Sequence, residues 1–261
     1  MSAICIIGNS HAACIRRPSL AISQEQKKTK FVFFCARDIP TQALARRGQL
    51  LVPRSAELRE IYKRTSRGAE EIDEDIYDAF IVVGLQFGIE TVLPIYHDYR
   101  TSRMNHSRSK YLVSEAYFRS AACDALRTSE AVRIAKMIRS VSRKPIILVP
   151  NPRRVLNLQG KRYGAISRAS GAELALLDQE YRMACTSAVS ASVIVHHQPD
   201  ETLADGFHTR AELGLSANIP DLSEIPPSRF THMNEAYGSL LLNSIIGRLG
   251  SLLPRRWAKG G

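Results

Sequence analysis

The stretch Ala3-Ile4-Cys5-Ile6-Ile7-Gly8-Asn9-Ser10-His11 decides the fold. Five apolar, largely β-branched residues run into a glycine and then a small polar turn. A continuous apolar run of this length reads as a strand covered on both faces. In a parallel sheet, the residues just past a strand's carboxyl end face the ligand crevice. Gly8 lets the backbone turn sharply there. Ser10 then presents a hydroxyl where a nucleophile would be held.

Four more runs of the same kind follow, at 30–36, 79–83, 145–149 and 192–196. The segments between them are polar to amphipathic and long enough for helices. Apolar residues at spacings of three and four predict a helix over 114–141, with Arg127-Thr128-Ser129 as an interruption. Two more helices are predicted over 171–189 and 234–253, the last stopped by Pro254. Strands alternating with helices imply right-handed crossovers and a parallel α/β sheet. Two stretches read as irregular: the basic segment 94–110, with Arg100, Arg103, His106 and Arg108, and the polar region 200–229. The expected organisation is one domain over 1–254 and a short basic tail over 255–261.

Composition narrows the function. The chain has 261 residues, enough to bury a core on both faces of a sheet, and 44% are hydrophobic. A net charge of +11 fits a solubilising surface or an anionic small-molecule or glycan ester substrate. Aromatics are only 7%, and no motif for RNA or DNA occurs, so nucleic acid is not an expected partner. The five cysteines form no Cys-x-x-Cys pair, which argues against zinc or a disulfide framework and fits a reducing compartment. His196-His197 lacks a third ligand at metal-binding spacing, so no metal or other cofactor is expected. No stretch approaches ~18 uninterrupted apolar residues, and the first residues lack the pattern of a signal peptide. The expectation is a cytoplasmic protein with no integral membrane association.

The chemistry-bearing residues converge if the sheet is doubly wound with strand order 2-1-3-4-5. The first and third strands are then neighbours at the switch point where the crevice opens. Ser10 follows the first, and Gly84-Leu85-Gln86 follows the third. A serine needs a base, and His232 is the candidate. A tetrahedral intermediate needs N–H donors. The Ser10 backbone, the Gln86 amide and a backbone N–H near Gly84 are the candidates. Their bland alternatives are a helix-capping serine, a helix-capping histidine and an ordinary loop glutamine.

In these residues the chain resembles the SGNH (GDSL-like) hydrolases. Gly8-Asn9-Ser10-His11 is similar to that family's first motif, which carries the nucleophile. Asp78-Ala79-Phe80-Ile81-Val82-Val83-Gly84-Leu85-Gln86 is similar to its third, with Gln86 where asparagine is usual. Arg229-Phe230-Thr231-His232 stands where Asp-x-x-His is expected, and Pro150-Asn151-Pro152 also fits. The resemblance implies a three-layer, flavodoxin-like α/β/α sandwich and an esterase or deacetylase with Ser10 as nucleophile and His232 as base, acting on an O-acylated carbohydrate. Gly48 is the candidate for the family's glycine after the second strand. Arg229 replaces the acid that would orient the histidine, which leaves Asp221, Glu224, a backbone carbonyl or a Ser–His dyad. O-acyl transfer by the same residues, a degenerate glycan-binding module and a nucleotide-binding flavodoxin-like protein are the alternatives. The last lacks both Gly-x-Gly-x-x-Gly and a Walker A motif.

Overall fold

The protein is described here by a computed structural model over residues 2–26, 29–37, 39–40, 42–104, 111–155, 166, 169–215 and 232–252. Strand β1 (Ser2–Gly8) leads through a short 3-10 helix (Ser10–Ile15) into helix α1 (Arg16–Gln26) and strand β2 (Thr29–Cys35). A hairpin of β3 (Leu44–Arg47) and β4 (Leu50–Pro53) precedes α2 (Ala56–Ser66), β5 (Ile72–Asp73) and β6 (Ala79–Val83). Then come α3 (Ile89–Asp98), the small pair β7 (Tyr99–Arg100) and β8 (Tyr111–Leu112), and helices α4 (Glu115–Arg127) and α5 (Glu130–Arg139). Strand β9 (Ile146–Val149), α6 (Gly171–Ala188), β10 (Val193–Val195) and α7 (Glu235–Leu252) complete the order.

Five strands form one parallel sheet in the order β10-β9-β6-β1-β2. This is the 2-1-3-4-5 arrangement, flanked by helices on both faces as a three-layer α/β/α sandwich. Alternate side chains feed two cores. Cys5, Ile7, Phe34, Phe80, Val82 and Leu148 point toward the layer of α2 to α6. Ile4, Ile6, Phe33, Ile81 and Val149 point the other way, toward Ile15 and the Tyr237, Leu241 and Ile245 stripe of α7. Asp78 sets the register between the two central strands. Its backbone N–H donates to Ala3 O at 2.7 Å, and its carboxylate accepts from Ala3 N at 2.8 Å. Gly8 consequently pairs with Val83, so the segments beginning at Asn9 and Gly84 emerge side by side.

The expected strands match the central sheet. The helical stretch over 114–141 is two helices, interrupted where expected at Arg127-Thr128-Ser129, and Ser129 caps the second by accepting from Val132 N at 3.4 Å. Other segments depart from expectation. The segment expected to be irregular from residue 94 is helical to Asp98, despite Pro94 inside α3. Burial of Val92, Leu93 and Tyr96 outweighs the hydrogen bond that proline forfeits. A separate antiparallel sheet, β3-β4-β5, was not expected at all. In the polar region, single 3-10 turns span Asp200–Thr202 and Ala211–Leu213. The basic tail, His106, Arg108 and residues 216–231 lie outside the described residues. Among the described residues, no helix is long and apolar enough to cross a membrane.

Helix α7 approaches the 3-10 helix after β1 at van der Waals limits. A Cβ built on Gly238 would lie 1.9 Å from Cys14 O and 2.4 Å from Cys14 C. The obstruction is backbone, so no rotamer change relieves it. Gly238→Val is expected to lower stability by about 2 kcal/mol or more, the overpacking range, measured by urea unfolding. A loss within about 0.5 kcal/mol, as at an ordinary surface position, would contradict this packing.

Candidate active site

Ser10 opens the 3-10 helix because Asn9 caps it. The Asn9 side chain accepts from His11 N at 3.2 Å, and Ala12 N donates to Asn9 O at 3.1 Å. As the first N–H of that helix, the Ser10 amide has no acceptor within it. The hydroxyl and the amide of one residue thus share the crevice at the end of β1.

His232 reaches the same place from 222 residues away. Its backbone O accepts from Leu215 N at 3.0 Å, and Asn234 N donates to Leu213 O at 2.9 Å. Gly214 and Met233 form an antiparallel bridge between these bonds. The Asn234 side chain then accepts from Tyr237 N at 3.2 Å, which starts α7. Held on this short ladder, His232 places Nε2 at 2.8 Å from Ser10 Oγ. With Nε2 unprotonated, the hydroxyl donates to it. His11 stacks on the His232 imidazole, with ring centroids 5.1 Å apart and planes 24° from parallel.

Gly84-Leu85-Gln86 forms the third side. All three have positive φ, at 75°, 54° and 65°. Two consecutive non-glycine residues in this region cost about 1–2 kcal/mol each, and such strain persists only where surrounding contacts enforce it. Here every carbonyl of the turn is held. Gly84 O accepts from Phe87 N (3.1 Å), Leu85 O from Ala131 N (3.2 Å) and Gln86 O from the Thr91 hydroxyl (2.7 Å). Leu85 and Phe87 are buried, which pins the turn from beneath and turns Gln86 outward. Gly84 is needed at this spot for a second reason. A Cβ there would come within 2.5 Å of Asn9 Oδ1 and 2.8 Å of Asn151 Oδ1. Three loops, from the ends of β1, β6 and β9, therefore meet over one glycine.

Ser10 and His232 are brought into contact, and Gly84 adjoins Asn9. Gln86 stands at the same crevice, but its side chain makes no hydrogen bond to Ser10. It instead bounds, with Asn9, a cavity of about 550 Å³ lined by Ile39, Leu58, Ile61 and Leu85. Arg37, Ser55 and Glu57 form its exposed rim. Gly48 is elsewhere. It sits in the β3-β4 turn, where Arg46 donates to its carbonyl at 2.9 Å, and the adjacent Gln49 O accepts from Glu74 N at 3.1 Å. Glu74 precedes the amino end of β6, so Gly48 lies at the opposite end of the sheet from Ser10. The expectation of a crevice glycine there is corrected. Asp221, Glu224 and Arg229 lie outside the described residues.

Sequence reasoning missed Asn151 as a packing partner of Gly84, and it missed the stacking of His11 on His232. The only signal for the second was the adjacency of His11 to Ser10 in the sequence. His196 and His197 follow β10 and are half-buried, away from Ser10. His197 packs edge-on to Tyr181 at 6.0 Å. Among the described residues, no group of three or more His, Cys, Asp or Glu side chains could hold a metal.

No family model matches the chain, and no curated protein matches it. Three solved structures are similar in the path of the chain. A protein provisionally described as a platelet activating factor from Streptococcus pneumonia is 14% identical, with a TM-score of 0.45 over 95% of this chain and 84% of that one. The periplasmic domain of a lipopolysaccharide acetyltransferase from Salmonella ser. Paratyphi A is 12% identical, with a TM-score of 0.46 over 95% and 83%. A DUF4886 family protein from Bacteroides uniformis is 11% identical, with a TM-score of 0.38 over 94% and 95%. These are distant likenesses, and the chemistry is read from this chain's own residues.

The His197 environment yields a pH dependence. Burial, followed by the nearby Arg182 charge, pushes its imidazole down from the usual 6.5 to about 4. The unfolded chain binds the proton more readily, so this group's contribution is complete above pH 6.5 and falls away as pH drops toward 4. Urea unfolding at pH 7 and pH 4.5 should show the stability lost by wild type exceeding that lost by His197→Gln by roughly 1–2 kcal/mol. Parallel losses would contradict a neutral, half-buried His197.

Proposed function

We propose that this protein is a serine-dependent enzyme that processes acyl groups, an ester hydrolase with Ser10 as nucleophile and His232 as base. The observation that carries this reading is the 2.8 Å contact between His232 Nε2 and Ser10 Oγ. A serine hydroxyl is a weak nucleophile until a base removes its proton, and this is the hydrogen bond that transfer requires.

The steps follow from the geometry. Ser10 Oγ attacks the ester carbonyl carbon while its proton passes to His232 Nε2. The carbonyl oxygen becomes an oxyanion, for which the Ser10 N–H is the first donor and the Gln86 amide, once rotated toward the crevice, the second. His232 then returns the proton to the alcohol oxygen as the carbon–oxygen bond breaks. The acyl group remains on Ser10. A water molecule, deprotonated by His232, releases the acid and restores the hydroxyl. If another alcohol takes the place of that water, the same residues carry out O-acyl transfer. Product analysis with and without an added alcohol distinguishes the two.

An activity-based fluorophosphonate probe tests the reading. Wild-type protein is expected to be labelled on Ser10, Ser10→Ala to remain unlabelled, and His232→Ala to react at least about 100-fold more slowly, the usual contribution of a general base. Absence of wild-type labelling, or labelling that survives Ser10→Ala, would contradict it.

A further inference from the structure

We infer that His11 is a positioning residue for the base: its ring lies against the His232 imidazole and keeps Nε2 directed at Ser10 Oγ. This rests on the reading of Ser10 and His232 as nucleophile and base. It adds a third side chain to that pair, one that takes no part in the proton transfer and acts through the ring it touches.

The need for such a residue follows from the shape of histidine. Nε2 lies off the Cβ–Cγ axis, so rotation about that bond carries it away from Ser10 Oγ. The torsion itself is broad and weakly restrained. The 2.8 Å contact therefore requires a fixed ring plane as well as a fixed backbone. The bonds at Leu213, Leu215 and Asn234 secure the backbone on either side of His232. They act on the main chain. His11 acts on the ring: the two centroids are 5.1 Å apart and the planes 24° from parallel, a spacing at which stacked aromatic rings attract. Turning the His232 imidazole out of its plane would drive one edge of it toward His11.

His11 is well placed to hold another ring because it is held itself. Its N–H donates to Asn9 Oδ1 at 3.2 Å, and its carbonyl oxygen accepts from Cys14 Sγ at 3.2 Å. The side chain is half-buried. Cys14 is the residue whose backbone abuts Gly238 of α7. The 3-10 helix that carries His11 is thus locked against the helix that His232 precedes. Ser10 and His11 are also consecutive residues of that one short helix. The hydroxyl and the ring that orients its base are therefore fixed to the same rigid piece of backbone, and any shift of one is shared by the other. Catalytic groups held in this way lose least to misalignment.

The rate of fluorophosphonate labelling at Ser10 decides the matter, compared among wild type, His11→Ala, His11→Leu and His11→Phe. Leucine fills most of the space of the imidazole but offers no flat face. Phenylalanine restores the flat face and carries no ring nitrogen. Rates are taken per folded molecule, with the folded fraction read by circular dichroism, and the comparison of leucine with phenylalanine stands even if His11→Ala does not fold. His11→Ala and His11→Leu are expected to react about tenfold more slowly than wild type, a part of the roughly 100-fold that the base supplies. His11→Phe is expected to recover the rate to within about threefold of wild type. A residue that merely fills space would be replaced as well by leucine as by phenylalanine. Equal rates for leucine and phenylalanine, or a His11→Phe rate as low as that of His11→Ala, overturn this inference and leave the nucleophile reading standing. Wild-type protein that is not labelled at Ser10 overturns both.

Discussion

The close approach of α7 to the 3-10 helix after β1 is the constraint on which the site depends. Gly238 sits where any side chain would strike the Cys14 backbone. That absence of a Cβ lets Tyr237 and Leu241 settle into the core on their face of the sheet. The depth of this docking fixes the start of the helix, and the start of the helix fixes His232, three residues earlier. A histidine carried on a long polar connection thereby meets a serine at the other end of the sequence. Burial of the α7 stripe opposes the chain entropy lost in bringing these two distant residues together, so the Ser10–His232 contact is coupled to one of the two cores.

The opposite wall of the crevice is held by a different device. Strand β6 ends in a left-handed turn at Gly84-Leu85-Gln86 that short-range preferences oppose. Hydrogen bonds from Phe87, Ala131 and Thr91 hold it, and buried Leu85 and Phe87 anchor it. The turn has two consequences. It directs Gln86 outward at the level of Asn9, and it leaves Leu85 as part of the wall of the cavity on the α2 side. His232 and this hollow therefore lie on opposite faces of one sheet.

The central sheet was legible because its strands are buried on both sides and so read as unbroken apolar runs. The run at 79–83 coincides with β6. Ser129 was legible as a break because serine is a helix-capping residue. The small sheet was not, since β3 carries Arg46 and Arg47 and β5 has only two residues. Such strands are specified by tertiary partners, here Glu74 beneath Arg46 at 2.9 Å. That same misreading made Gly48 look like a crevice glycine, when it serves a hairpin with φ of 62°. Pro94 hid the second half of α3 because burial of its neighbours is invisible in a single sequence. Ser10, Gly84 and His232 could be found because each borders a strand or helix whose end the sequence marks. The orientation of Gln86 could not, because it depends on bonds from Phe87, Ala131 and Thr91.

The most direct test is a crystal structure of the protein after reaction with a small alkyl fluorophosphonate. Phosphorus is expected to be bonded to Ser10 Oγ, with the phosphoryl oxygen within hydrogen-bond distance of the Ser10 N–H. The His232 imidazole should remain in the crevice on the α7 side. An adduct on another residue, or a Ser10 adduct whose phosphoryl oxygen lies away from that amide with His232 withdrawn from the crevice, would contradict the account.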